Sequence, residues 1–244
     1  MTLYMIGVGL WDEKDITVKG LEAVKSCEYV YLESYTSKLN CSIQELEELY
    51  GKKIIVADRK QVEIDSDDII NQAKETDVAF LIIGDVFAAT THVDLRIRAE
   101  QENIDVKVIH NASVMTAIGE VGLELYKFGK TVSIPFENKN VVSPINFFKE
   151  NFKLGLHTLF LLDLRPDEDK YMTVNQAIEY LRSKGVENYI CVGCAGLGSV
   201  EPEIKSGLMD KVVKVKFSKY PQCLIIPGIL HFIEETNIRK WGQK

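Results

Sequence analysis

The feature that most constrains this chain is an alternation, over its first 111 residues, of short apolar runs with longer amphipathic stretches. The runs fall at 3–9, 29–32, 54–56, 78–83 and 106–109, and the intervening stretches predict helices over 17–26, 42–50, 65–75 and 91–102. A strand with one face in water shows polar alternation, so runs that are apolar at nearly every position require cover on both faces. The pattern predicts α/β architecture with a doubly wound, mainly parallel sheet.

Beyond residue 111 the spacing loosens. A small-residue helix over 112–123 and a strand over 131–134 lead to a polar connection at 137–140. Further strands are expected at 157–164, 189–193 and 224–226, with helices at 144–154, 173–184 and 229–236. Two domains follow, an N-terminal α/β domain over 1–111 and a C-terminal α/β domain over 112–244, with no internal repeat or low-complexity tract. A chain of 244 residues buries roughly 70–75% of its unfolded surface, so its core needs no staple.

The five cysteines, at 27, 41, 191, 194 and 223, are odd in number and irregularly spaced, and the first residues lack a basic-then-apolar leader. Both features lead us to expect a reducing, cytoplasmic setting. Cys191-Val192-Gly193-Cys194 has the spacing of a redox or zinc pair, but no second pair completes a site and the segment has strand composition, so core cysteines are expected. No apolar run approaches the roughly 18 residues of a membrane span. With 29 basic and 36 acidic residues the net charge is −7, which argues against nucleic-acid or anionic-membrane binding.

In an open parallel sheet, ligands collect outside the carboxyl ends of the strands. The first such end, Gly7-Val8-Gly9-Leu10-Trp11-Asp12, resembles part of a dinucleotide fingerprint, with Asp12 where the third glycine belongs. Glu33, ending the second strand, could bind a ribose, which keeps a nicotinamide oxidoreductase as an alternative. The fourth strand ends in Gly84-Asp85-Val86-Phe87-Ala88-Ala89-Thr90-Thr91-His92-Val93-Asp94. Here Asp85 brings a carboxylate to the ligand edge, Ala88 and Ala89 leave room beside the backbone, and Thr90, Thr91 and Asp94 have the pattern of helix capping. After the fifth strand comes His110-Asn111-Ala112-Ser113, with Ser113 at the start of a helix as cap, ligand contact or both. No Gly-x-Ser-x-Gly elbow, phosphate loop or His-Glu-x-x-His zinc pair occurs, which removes the corresponding hydrolase, phosphate-loop and zincin classes.

Taken together, these segments resemble the diphthine synthases, S-adenosylmethionine-dependent enzymes of the tetrapyrrole-methylase superfamily. The resemblance covers most of the chain. It runs through Leu3-Tyr4-Met5-Ile6-Gly7-Val8-Gly9-Leu10, Asp15-Ile16-Thr17-Val18-Lys19-Gly20, Gly84-Asp85, Ala89-Thr90-Thr91-His92 and Asn111-Ala112-Ser113. It continues in Leu125-Tyr126-Lys127-Phe128-Gly129, His157-Thr158-Leu159-Phe160-Leu161-Leu162-Asp163, Tyr171-Met172-Thr173-Val174-Asn175 and Leu224-Ile225-Ile226. The resemblance implies a homodimer of two-domain subunits holding S-adenosylmethionine in the cleft between the domains, with S-adenosylhomocysteine as product and no metal. The substrate it implies is translation elongation factor two. One modified histidine of that factor receives three methyl groups on the amine of its 3-amino-3-carboxypropyl arm and, in part of the family, a fourth on the carboxylate.

Carried over by position, the cofactor contacts are Leu10, Asp85, Ala88, Ser113, Val114, Leu162, Leu197 and Gln222. The chain departs from the family pattern at Val86 (usually proline), Ala88 (often glycine), Gly196 (commonly arginine) and Gln222 (usually histidine). Methyl transfer is an in-line displacement that relies mainly on alignment, so few catalytic side chains are demanded. An amine must shed a proton before each attack, but the sequence assigns no catalytic residue. His92 and Asp94 are near Asp85 in sequence, with packing or capping as their competing roles.

Overall fold

The computed structural model describes residues 1–59, 62, 67–89 and 91–242, in two units, Met1–Met115 and Thr116–Lys244. In the first unit, β1 (Thr2–Gly7), β2 (Tyr29–Glu33), β3 (Ile55–Ala57), β4 (Val78–Ile82) and β5 (Asp105–Ile109) form one sheet in the order β3-β2-β4-β1-β5. Every pairing is parallel. The five residues of β4 are all buried, and they feed two separate cores because successive side chains point to opposite faces. Val78, Phe80 and Ile82 pack with Ile69 and Leu95 on one side; Ala79 and Leu81 pack with Val24, Leu46 and Tyr50 on the other. That two-sided burial is why the strands read as unbroken apolar runs.

Local signals set the first helix starts. Thr17 accepts from the Gly20 N–H ahead of the helix Val18–Ser26, and Ser42 and Glu45 form a capping box ahead of Ile43–Tyr50. The capping expected of Asp94 gives way to an ion pair. The helix Val93–Gln101 has His92 at its cap position with no side-chain cap bond, and the Asp94 carboxylate pairs instead with Arg98 one turn on, at 2.5 Å. A charge-assisted bond to a guanidinium outcompetes a neutral backbone donor. Thr90, and residues 65 and 66 of the helix expected over 65–75, lie outside the described residues; that helix is seen over Asp67–Glu75.

The topology has one consequence for ligands. From β1 the chain crosses to β2 on one side of the sheet, and from β4 it crosses to β5 on the other, while β1 and β4 lie side by side. Two neighbouring strands whose connections leave in opposite directions open a crevice at their carboxyl ends.

In the second unit, β6 (Val132–Ile134), β7 (Thr158–Leu162), β10 (Ile190–Ala195), β11 (Glu203–Leu208) and β12 (Gln222–Ile226) form a sheet in the order β11-β10-β12-β7-β6. Its pairings are antiparallel except β6 with β7. A two-stranded hairpin, β8 (Leu164–Arg165) with β9 (Lys170–Tyr171), extends from β7. Helices Ser143–Lys153, Val174–Ser183 and Phe232–Lys240 complete the unit.

Three expectations change here. The helix expected over 112–123 shrinks to Val114–Ala117 and a 3-10 turn, Ile118–Val121, because Gly119 and Gly122 interrupt it. The last helix starts at Phe232 rather than 229, fixed by the Glu234 carboxylate accepting from the His231 N–H at 2.8 Å. The edge strand β11, with only two of its six residues buried, carried too little apolar signal to be foreseen.

Candidate functional site

At the crevice, the loops after β1, β4 and β5 are tied together by short polar links. Gly9 and Gly84 exchange backbone hydrogen bonds at 3.3 and 2.7 Å. Gly9 has φ +85, and a Cβ there would lie 2.4 Å from Asp15 Cβ; one on Gly7 would lie 2.6 Å from Gly84 O. The glycines of the partial fingerprint are therefore required for loop-to-loop approach, without any dinucleotide. Asp15 Oδ2 accepts from the N–H groups of Leu10 (3.1 Å) and Trp11 (2.7 Å). Asn111 Nδ2 donates to the carbonyls of Gly7 and Asp15, both at 2.9 Å. Asp15 and Asn111 thus hold the site's frame, and neither was singled out as a site residue in the sequence.

Asp85 is the hub of the β4 loop. Its Oδ2 accepts from the Asn111 N–H at 3.1 Å and meets His110 Nδ1 at 2.8 Å, while Oδ1 accepts from the Phe87 N–H at 3.3 Å. Burial by itself would raise this carboxyl, but the bonds from Asn111, His110 and Phe87 outweigh it and hold the group below the usual range. Ala88 follows in the same loop, its N–H bonded to the Asp85 carbonyl at 3.3 Å. Ser113 is buried and Val114 half-buried at the start of the short helix after β5. The first unit therefore brings Leu10, Asp85, Ala88, Ser113 and Val114 to the carboxyl edge of one sheet.

The second unit gathers its three positions at one sheet end as well. Leu162 closes β7, Gln222 opens β12 and pairs with Ala195 at the end of β10, and Leu197 follows two residues later. Antiparallel pairing makes one strand's end its neighbour's beginning, so residues 60 apart in sequence share an edge. The Gln222 side chain is engaged, accepting from the Val174 N–H at 2.9 Å and donating to the Lys219 carbonyl at 3.0 Å.

Several residues that the sequence brought forward have other roles. Glu33 is fully buried and accepts from Thr36 N at 3.1 Å and Ile83 N at 3.3 Å, so it is no ribose ligand and the nicotinamide alternative loses its acidic residue. His92 is 1% exposed, with its ring edge-on to Phe80 and Tyr35; burial pushes its pKa down to about 4. Cys191 and Cys194 are buried free thiols, as expected of core cysteines, and burial raises Cys191 to about 12. Among the described residues no group of three or more His, Cys, Asp or Glu could hold a metal ion, and no helix is long and apolar enough to cross a membrane.

A parallel switch-point sheet followed by a second, mixed sheet, with backbone-rich loops at the strand ends, is the plan of a class of methyltransferases. The sequence matches the tetrapyrrole (corrin/porphyrin) methylases over residues 2–212, and the chain belongs to that family. Within it the chain stands with the diphthine synthases. It is 44% identical to the diphthine methyl ester synthase of Dictyostelium discoideum, covering 96% of each chain. It is also 44% identical to that of Homo sapiens, over 93% of this chain and 90% of the other. A crystal structure of diphthine synthase superposes with a TM-score of 0.94 at 37% identity, over 99% of this chain and 96% of that one.

Proposed function

We propose that this chain uses S-adenosylmethionine to methylate the 3-amino-3-carboxypropyl arm on one histidine of translation elongation factor two, giving diphthine or its methyl ester in diphthamide biosynthesis. The observation that carries this reading is similarity to diphthine methyl ester synthases along nearly the whole chain rather than at one motif. The proposed donor contacts are Leu10, Asp85, Ala88, Ser113 and Val114 in the first unit and Leu162, Leu197 and Gln222 in the second. We further propose that the enzyme works as a homodimer in the cytoplasm, with no part played by nucleic acid or membrane.

The residues fit such a donor. At the β4 edge even a Cβ on Gly84 would lie 4.0 Å from its nearest neighbours, Ala112 O and Ser113 Cβ, so the backbone there is open to close approach. When bound, S-adenosylmethionine supplies a methyl group activated by its sulfonium. The protein then has to align an acceptor, a contribution worth up to roughly 7–11 kcal/mol in favourable systems. The rigid ties through Asp15, Asn111 and Asp85 serve that alignment by fixing three loops against one another.

Incubating the protein with labelled S-adenosylmethionine and elongation factor two, with and without the carboxypropyl arm, tests the reading. Label is expected only on the arm-bearing factor, and mass spectrometry of that product counts the methyl groups. Label on neither form would overturn it.

A further inference from the structure

Methylating an amine needs a proton acceptor, and the histidine next to Asp85 in space is not the one next to it in sequence. His110 follows β5, and its Nδ1 lies 2.8 Å from Asp85 Oδ2. An ionised carboxylate only accepts, so Nδ1 carries a proton, and in the neutral ring Nε2 then presents its lone pair. The ring sits edge-on to Phe87 with centroids 6.2 Å apart, which together with Asp85 fixes its direction. The His110 side chain is 67% exposed and that of Asp85 only 16%. A sheltered carboxylate thus orients an imidazole that a macromolecular substrate and water can both reach.

Other bases fit less well. His92 is enclosed by aromatic rings, Asp94 is paired with Arg98, and Glu33 is buried under bonds from Thr36 and Ile83.

We propose that His110, oriented by Asp85, is the general base of N-methylation; this rests on the methyl-transfer reading above. The ammonium of the substrate arm gives a proton to Nε2. Its nitrogen lone pair then forms the bond to the methyl carbon as the carbon–sulfur bond breaks and its electron pair stays on sulfur. The imidazolium, held against the Asp85 carboxylate, returns its proton to water before the next round. Each of the three amine methylations needs one such removal. Methylation of the carboxylate needs none, since that acceptor is already an anion near neutral pH. The two kinds of step therefore separate a base from a residue that merely shapes the site.

The experiment uses the full chain as wild type, His110→Asn and His110→Gly, with elongation factor two bearing either the unmethylated or the trimethylated arm. Amine methylation is expected to fall about 10²- to 10⁴-fold in both variants, with recovery of His110→Gly on adding free imidazole. Ester formation on the trimethylated arm, where wild type makes it, and the calorimetric Kd for S-adenosylmethionine are expected to stay within about threefold. Nitrogen-15 NMR of the ring, read without turnover, should show the proton on Nδ1 and a bare Nε2. An unchanged amine rate, equal loss of the ester step or of donor affinity, absent imidazole rescue, or the opposite tautomer would each overturn the proposal. Wild type labelling neither acceptor would instead overturn the methyl-transfer reading itself.

Discussion

Two histidine–carboxylate pairs among the described residues have nearly the same length, His110–Asp85 at 2.8 Å and His157–Glu234 at 2.9 Å. They differ in where the ring's second nitrogen goes. His157 is fully buried, and its Nδ1 accepts from the Gly228 N–H at 3.0 Å. Glu234 is likewise saturated, accepting from Glu124 N at 2.9 Å and His231 N at 2.8 Å and pairing with the Lys127 ammonium. Burial alone would raise Glu234, but these donors bring its pKa down to about 2, while burial lowers His157 despite its partner. One pair thus fastens the start of the last helix to β7, and the other leaves a nitrogen facing solvent. The pairing alone does not separate a fastening from a reactive dyad; solvent access and the fate of the second nitrogen do.

Breaking the buried pair should have the larger effect. Glu234→Ala strands His157 and Lys127 and should cost about 3–5 kcal/mol of unfolding free energy in urea titrations. A loss below about 1 kcal/mol would mean that the network fastens nothing. The same carboxylate sets a pH window. Its folded pKa, about 2, lies below the ordinary 4.5, so its stabilisation is full above 4.5 and drains away as pH falls toward 2. Thermal melts across that range should show the loss in wild type, and Glu234→Gln should flatten it.

At the exposed pair the effects move from stability to binding. Asp85→Ala removes the acceptor of three bonds from the donor edge and should weaken S-adenosylmethionine binding roughly tenfold to a hundredfold by calorimetry. Unchanged affinity would remove Asp85 from the site. The smallest effect is expected for the stability of His110→Gln, within about 0.5 kcal/mol in urea, because the ring stands mostly in water. A substantially larger loss would make His110 a second fastening and erase the contrast.

The sequence exposed some of this and hid the rest, for identifiable reasons. The strand-end rule led to Asp85 and Ser113 because both follow apolar runs directly. It failed at Glu33, also a strand-end residue, whose carboxylate the neighbouring loop after β4 captures through Ile83 N. It missed the partnership of His110 with Asp85, 25 residues apart, since their strands β4 and β5 flank β1 in the sheet and the two loops meet only once that order is set. Leu162 and Leu197 looked like plain core, and only the family resemblance raised them as contacts. Their shared edge with Gln222 comes from antiparallel register.

By itself the sequence determined that two faces of a parallel sheet had to be covered, because apolar runs without polar alternation are stable only when buried on both sides. It also marked the glycine turn after β1, where a side chain on Gly7 would collide with the loop after β4 and one on Gly9 with Asp15 of its own loop. Only the tertiary structure decided which strands lie side by side, and so where the crevice opens and which histidine the aspartate holds. Strand order depends on crossovers and packing between distant segments, and local pattern carries no record of either.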